Sequence, residues 1–143
     1  MPLYVLDTSA LMCLLYHEAG VDVVIGLLDA AALDAPGIER PEVVLPFVAL
    51  MEVEYQLLRR LPQAAAQRNI QTVETLPVQI RESTSEWRHD AARVKAKGGL
   101  SLADAWIAAL AIMEGAELVH KDPEFDQVPE LRSLRLPYRG PSR

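Results

Sequence analysis

The 143-residue chain has one cysteine and three histidines, which excludes several kinds of site at once. A single cysteine cannot form an internal disulfide, and Cys13 lies in an apolar run where we expect a buried structural thiol in a reducing compartment. His17, His89 and His120 show none of the spacings that zinc ligands need. Any metal site in this chain should therefore be built from oxygen ligands.

Long hydrophobic runs are also missing from the chain. The most apolar stretch, residues 105–113, is too short to cross a bilayer and is bounded by Asp104 and Glu114. The start of the chain, MPLYVLD, has no basic region, so we expect no secretory signal. These absences predict a soluble protein of the cytoplasm without a membrane segment.

An excess of positive charge is the third feature that the chain lacks. It has 14 Lys and Arg residues against 20 Asp and Glu residues, and a net charge of −6 is the wrong sign for a general nucleic-acid coat. An acidic total can still hide a basic face around an acidic, cation-loaded centre, so the charge decides neither way. Half of the residues are hydrophobic and no linker or repeat is visible, which predicts one domain over residues 1–143.

Short apolar segments alternate with helical segments along the chain. Strands are predicted at residues 3–6, 43–45, 75–79 and 116–120, with a short edge strand within residues 131–138. Helices are predicted at residues 9–16, 21–33, 46–60, 85–97 and 101–115, with a short helix after Pro62. Strands that alternate with helices indicate an α/β domain with a central parallel sheet.

Three aspartates lie where predicted strands end or where a helix begins. Asp7 directly follows a predicted strand and Asp122 lies two residues after the end of another, and each has the ordinary explanation of a helix cap or a turn. Asp104 lies in the first turn of an apolar helix, where SLAD, from Ser101 to Asp104, has the outline of a capping box. For Asp7 and Asp104, capping and metal ligation are about equally good explanations from the segment alone, and for Asp122 the simple explanation is a cap or a turn.

Glu52 is the most informative carboxylate. On the helix that follows Pro46 it shares one face with Val48, Met51 and Tyr55, and this face is predicted to be buried. A carboxylate on a buried face is costly unless a cation or a proton donor pairs with it. The alternative explanation is an edge position or an ion pair with an arginine.

The four carboxylates together change the balance of explanations. In a parallel sheet they would all meet at the carboxyl-terminal edge of the strands. Packed together they would repel and raise each other's pKa unless a cation neutralised them. Oxygen ligands favour Mg²⁺ or Mn²⁺ over zinc, and these ions suit phosphodiester hydrolysis because they activate water and stabilise the attacking and leaving oxygens.

The chain resembles the PIN-domain ribonucleases, and within them the VapC-type toxins of bacterial toxin–antitoxin pairs. The resemblance covers nearly the whole chain and is carried by VLDTSAL, LSLADAWIAALAI and AELVHKDPEF, with VALMEVEYQL as a looser match. It implies a PIN-like three-layer α/β/α domain that cleaves RNA with Mg²⁺ or Mn²⁺, as a homodimer neutralised by an antitoxin protein. The implied acidic quartet is Asp7, Glu52, Asp104 and Asp122, and Ser9 falls where the family often has a hydroxyl near the metal.

His120 departs from the family pattern, which commonly has Thr or Ser at that position, and we expect it to have a supporting role at most. The basic segment RVKAKGG, which contains Lys95 and Lys97, is the best candidate for guiding an RNA backbone to the site. The alternative is a solvated helix end.

The first helices hold more apolar residues than a small core readily buries. A groove for an amphipathic antitoxin helix is predicted at Leu14, Leu15, Ile25, Leu57 and Leu58. The alternative is that these residues simply complete the core.

Two other function classes compete with the ribonuclease. A phosphatase of the haloacid dehalogenase type would need a second aspartate two residues after Asp7, where this chain has Ser9. A non-enzymatic PIN-like binding module would not need all four carboxylates, so their presence argues against it.

Overall fold

The computed structural model describes residues 2–138. Over these residues the strands are β1 (Leu3–Leu6), β2 (Glu42–Pro46), β3 (Gln79–Arg81), β4 (Glu117–His120) and β5 (Arg132–Arg135). The helices are α1 (Thr8–Tyr16), α2 (Val21–Ala32), α3 (Phe47–Arg60), α4 (Gln63–Glu74), α5 (Ser85–Ala96) and α6 (Leu102–Glu114), with a 3₁₀ helix at Pro123–Gln127. The predicted alternation of strands and helices is confirmed.

The five strands form one sheet in the order β3-β2-β1-β4-β5, and every pair of neighbours is parallel. The central strands are apolar on both faces, as burial between two helical layers requires, and Val5 pairs with Val44 on one side and with Leu118 on the other. The chain moves from β1 to one edge and then returns to place β4 on the other side of β1. Ligand crevices form where strand order reverses in this way, just beyond the strands' carboxyl ends.

Helices flank the sheet, which confirms the predicted PIN-like α/β/α class. The indole of Trp87 is buried between α5 and α6, and its N–H donates a hydrogen bond to the Trp106 carbonyl at 2.8 Å. Phe47, Trp87 and Trp106 make edge-to-face contacts with one another, with ring centroids 5.0–5.5 Å apart. This cluster joins α3 to the helix that carries Asp104.

No single helix among the described residues is long and apolar enough to cross a membrane. The pair α1 and α2 would reach that length and composition together, but the two helices meet at an angle of 99°.

Two local predictions are wrong. The third strand lies at Gln79–Arg81 instead of residues 75–79, because Thr75 closes the last turn of α4 through its N–H and Pro77 has no N–H to pair. On α3, Met51 and Tyr55 are 53% and 42% exposed instead of buried. The other helices cover the stripe of Ala49, Val53 and Leu57 on α3, and Glu52 lies half-buried at the margin of that stripe.

The end of the described chain returns towards the carboxyl ends of the strands. The Leu136 N–H donates to the His120 carbonyl at 2.7 Å, and Pro137 then packs over Gly20. Gly20 has φ 95°, and a Cβ atom there would lie 2.8 Å from Cδ of Pro137, so only glycine fits without a shift. This contact brings Tyr138 to the mouth of the site described below.

Candidate active site

A cavity of about 610 Å³ opens at the carboxyl ends of β1 and β4. Its wall carries six carboxylates: Asp7, Glu18, Glu52, Asp104, Asp122 and Glu124. The structure therefore brings all four predicted carboxylates to one place, from four different elements. Sequence reasoning missed Glu18 and Glu124, although Glu124 lies only two residues beyond Asp122.

Asp7 is the most buried of these carboxylates, at 3% exposure. Its Oδ1 accepts a hydrogen bond from the Ala10 N–H at 2.8 Å, so it caps α1 as its ordinary explanation required. The Ser9 hydroxyl lies 2.7 and 2.8 Å from the two carboxylate oxygens. Burial raises the pKa of Asp7 to about 7, against the effect of these hydrogen bonds and with added repulsion from Asp104 and Asp122.

Asp104 is half-buried in the first turn of α6. The helix cap there is the Ser101 hydroxyl, which accepts a hydrogen bond from the Asp104 N–H at 3.1 Å. The carboxylate of Asp104 is therefore not used as the cap. Burial raises its pKa to about 6, and the charges of Asp122 and Glu52 add to this shift.

Asp122 and Glu124 complete the most compact part of the cluster. Asp122 precedes the 3₁₀ helix, and its Oδ1 accepts from the Glu124 N–H at 2.9 Å. One oxygen from each of Asp104, Asp122 and Glu124 lies within 4.8 Å of the others. This spacing fits three ligands around one cation.

Glu52 enters the cavity from α3. Its Oε1 accepts a hydrogen bond from the Thr8 hydroxyl at 2.5 Å, which links α3 to the first turn of α1. Within the described part of the chain Glu52 forms no ion pair, so the alternative explanation of an arginine partner is not supported.

Ser9 connects the two strand ends that form the floor of the cavity. Its hydroxyl, besides contacting Asp7, accepts a hydrogen bond from the Lys121 N–H at 3.0 Å. The predicted supporting residue thus joins the segment after β1 to the segment after β4. A shift of either segment would move a carboxylate.

His120 lies beneath the cavity and does not line it. Its ring is fully buried against Phe125, with centroids 4.8 Å apart, and Nε2 lies 2.9 Å from the Ser133 hydroxyl. Burial lowers the pKa of His120, and the nearby charge of Arg135 lowers it further.

Lys95 and Lys97, the predicted substrate-binding residues, do not line the acidic cavity. The Lys95 ammonium donates to the Leu100 carbonyl at 2.9 Å, and the Lys97 ammonium lies 3.9 Å from Oε1 of Glu130. Their role in binding RNA stays a prediction. Among the described residues, the cations that do line the cavity are Arg60 and Lys121, which the sequence patterns did not single out.

The donor set of the cavity fits a divalent cation with oxygen ligands. The cluster of Asp104, Asp122 and Glu124 supplies only carboxylates, the ligands that Mg²⁺ and Mn²⁺ prefer. A bound cation would also offset the burial and repulsion that raise the pKa values of Asp7 and Asp104.

Comparison with known protein families gives a match to one family model, the PIN domain, over residues 4–131. The comparison with curated proteins gives no match. Among solved structures, VapBC2 from Rickettsia felis, bound to a DNA fragment from its promoter, is similar with a TM-score of 0.74 at 18% identity, over 94% of this chain and 99% of that chain.

Two further solved structures are similar at low sequence identity. A DNA-bound VapBC from Salmonella typhimurium gives a TM-score of 0.70 at 19% identity, over 94% of this chain and 98% of that chain. VapC20 from Mycobacterium tuberculosis, described as a sarcin-ricin loop cleaving toxin, gives a TM-score of 0.66 at 20% identity, over 90% of this chain and 98% of that chain. At these identities the similarity concerns the fold.

Proposed function

Because the chain belongs to the PIN-domain family, we propose that it is a metal-dependent endoribonuclease and the toxin of a toxin–antitoxin pair. One observation carries this proposal: Asp7, Glu52, Asp104 and Asp122 arrive from four elements at a single cavity. Burying several carboxylates without a cation raises their pKa values and costs stability, so a purely structural role does not account for the cluster.

The cavity residues would have different roles in the proposed reaction. Asp104, Asp122 and Glu124 would hold Mg²⁺ or Mn²⁺, with Asp7 and Glu52 on the adjoining wall. The cation, when bound, supplies Lewis-acid activation of water and neutralises charge at the phosphodiester. Ser9 fixes the Asp7 carboxylate through its hydroxyl and ties it to the segment after β4.

An antitoxin partner is part of the same proposal, and the structural neighbours from Rickettsia felis and Salmonella typhimurium, which are VapBC complexes, support it. The predicted groove needs one correction: Leu57 is buried in the core and cannot contact a partner. Its neighbour Leu58 is 47% exposed and shares one face of α3 with Met51 and Tyr55 at i, i+4 and i+7 spacing. We place an amphipathic antitoxin helix on this face, beside the cavity.

Leu14, Leu15 and Ile25 are half-buried against the core, so they can contribute only the margin of that docking face. A homodimer, a single domain over residues 1–143 and a cytoplasmic location complete the proposal.

The test of the proposed function is cleavage of a mixed-sequence single-stranded RNA by the purified protein with Mg²⁺, with Mn²⁺ and with a chelator. We expect internal cleavage that needs the metal and that stops in Asp104→Asn, while Asp29→Asn, an exposed acid on α2, leaves it unchanged. A phosphatase would release phosphate from a small aryl phosphate instead. Metal-dependent RNA binding without cleavage would indicate the binding module.

A further inference from the structure

The cavity that holds the acidic cluster contains a nearly buried lysine. Among the described residues that line it, Arg60 and Lys121 are the cations, against six carboxylates. The Arg60 guanidinium lies over the Tyr16 ring, 5.5 Å from its centroid, and Arg60 is exposed. The Lys121 side chain is only 11% exposed, less than any other cation with a described ion pair.

Burial of an ammonium group is costly unless strong partners replace the lost water. Within residues 2–138 the Lys121 ammonium has one carboxylate partner, Oε1 of Glu18, at 3.5 Å, and the Glu18 side chain is 48% exposed. The ammonium also donates a hydrogen bond to the Cys13 thiol, and both this bond and its charge oppose the rise in thiol pKa that burial causes. A long contact to a half-exposed carboxylate is a weak ion pair, and a thiol sulfur is a weak acceptor, so these two partners replace the lost water only in part.

The backbone fixes where this ammonium can reach. The Lys121 N–H donates to the Ser9 hydroxyl, which contacts Asp7, and the next residue in the chain is Asp122. Lys121 is therefore held between the end of β4 and Asp122, a member of the carboxylate cluster. Lys121 lines the same cavity as the carboxylates.

From this placement we propose that Lys121 binds a phosphate of the RNA in the acidic cavity, and that Glu18 is its stand-in partner when RNA is absent. The inference rests on the proposed ribonuclease function. With the carboxylates neutralised by a divalent cation, an incoming phosphodiester would add negative charge to a cavity whose ammonium has only a distant carboxylate partner and a thiol. A charge-assisted hydrogen bond to a phosphate oxygen replaces the long Glu18 contact with a stronger one.

The competing explanation is structural: Lys121 would serve only to pair with Glu18 and to hold the turn at residues 17–20. The two explanations differ in what Glu18 does. As a structural pair, Lys121 and Glu18 should give the same loss when either charge is removed. As a stand-in, Glu18 competes with phosphate, so its removal should leave substrate binding unchanged or stronger.

The experiment measures kcat and KM for a short single-stranded RNA with Mg²⁺ at several salt concentrations. The proteins are the wild type, Lys121→Met, Lys121→Arg and Glu18→Gln, with Arg132→Met as the control. Arg132 also lies 3.5 Å from a glutamate, Glu117, but outside the acidic cavity. Thermal unfolding of each protein reports any change of stability separately.

We expect Lys121→Met to lower kcat/KM by about 10-fold or more, and to reduce the magnitude of the salt slope by roughly 0.7, as loss of one phosphate contact on a single strand requires. Lys121→Arg should keep most of the wild-type kcat/KM and most of the wild-type salt slope, because arginine retains the positive charge. Glu18→Gln should keep or raise kcat/KM. Arg132→Met should keep kcat/KM within about twofold of wild type, because it removes only an ion pair outside the cavity.

Equal losses of kcat/KM in Lys121→Met and Glu18→Gln would overturn the inference, as would a Lys121→Met protein with the wild-type salt slope and kcat/KM. If Lys121→Met does not fold, the activity of Glu18→Gln alone distinguishes the two explanations. A structural ion pair requires kcat/KM of Glu18→Gln to fall, and the proposed phosphate contact does not. A wild-type protein that cleaves no RNA would instead overturn the proposed function, and the inference with it.

Discussion

Acidic residues at the two ends of the central sheet have opposite surroundings: those at the amino end have polar or cationic partners, and those at the carboxyl end are grouped together. At the amino end, Glu42 and Glu117 begin β2 and β4, and each has a partner: the Gln79 side-chain amide donates to Glu42 at 2.7 Å, and the Arg132 guanidinium lies 3.5 Å from Glu117. Each of these pairs joins neighbouring strands. An acid at this end therefore has an ordinary structural role.

At the carboxyl end, Asp7, Glu52, Asp104 and Asp122 gather around one cavity, and none of them is in a described ion pair. Asp7 and Asp104 have raised pKa values because they are buried and because Asp122 is close to both. Since the same sheet supports both ends, the fold does not require the unfavourable grouping. The contrast teaches that the carboxyl end is arranged for a cation, and the following predictions test that contrast.

The largest expected effect is on RNA cleavage. Asp7→Asn and Asp104→Asn should each lower kcat at least about 100-fold, because a metal centre stabilises the transition state by several kcal/mol. Glu117→Gln, at the amino end, should keep kcat within about twofold of wild type, since it removes only an exposed ion pair. Similar losses at both ends would remove the distinction between them.

The second prediction concerns stability against pH without divalent metal. The folded state binds the Asp7 proton more tightly than the unfolded chain does, since the pKa is about 7 when folded and near 3.8 when unfolded. The free energy of unfolding should therefore fall as pH rises from about 4 to 7, by at most roughly 4 kcal/mol from this group. Chemical denaturation in the presence of a chelator, at pH 5 and at pH 8, measures this change in the free energy of unfolding.

Asp7→Asn should weaken that pH dependence, because asparagine does not ionise, and should stabilise the protein at pH 8 by roughly 2 kcal/mol. Glu117→Gln is the control and should keep the wild-type slope. A wild-type protein that gains stability between pH 5 and 8 in chelator would contradict the grouping of unpaired acids at the carboxyl end.

A smaller effect is expected from the basic segment near the end of α5. Replacing Lys95 and Lys97 with glutamine should raise KM for RNA a few-fold and reduce the salt slope by at most about 1.4, while kcat is nearly retained. Lys97 should account for more of the change in KM and in salt slope than Lys95, because the Lys95 ammonium already donates a hydrogen bond to the Leu100 carbonyl. An unchanged salt slope would leave the segment as a solvated helix end.

The smallest expected effect on chemistry comes from His120, which lies beneath the carboxyl end without lining the cavity. His120→Thr should keep most of the kcat, although the smaller side chain leaves space beside Phe125 and should cost about 1–3 kcal/mol of stability. The measurement is kcat per folded molecule below the melting temperature. Complete loss of kcat in a folded, metal-binding variant would give His120 a catalytic role.

The sequence predicted the strands beside the site because each is a short apolar run with an aspartate one or two residues after its end. β1 was predicted with the observed limits, and β4 began one residue later than expected. The third strand was misplaced because β3 is a short edge strand with an exposed isoleucine, Ile80, and has no buried run to mark it. Edge strands depend on their neighbour more than on their own pattern.

The site was only partly predictable for a similar reason. The placement of Asp7 and Asp122 follows from strand ends, which a local pattern can reveal. Glu18 and Lys121 meet through a loop and a strand end that are distant in the chain, and no local periodicity reports such a contact. The face of α3 was misjudged at Met51, since the rotation of a helix is set by the elements packed against it.

The central claim is that the carboxyl end of the sheet is a cation site, and titration of Mn²⁺ into the metal-free protein tests it most directly. Calorimetry at pH 6.5 in two buffers of different ionisation enthalpy reports both the affinity and the protons released. The wild type should bind Mn²⁺ and release protons, because the pKa values of Asp7 and Asp104 are about 7 and about 6. Asp104→Asn should lose this binding and Glu117→Gln should keep it; equal binding by wild type and Asp104→Asn, or none by the wild type, would contradict the claim.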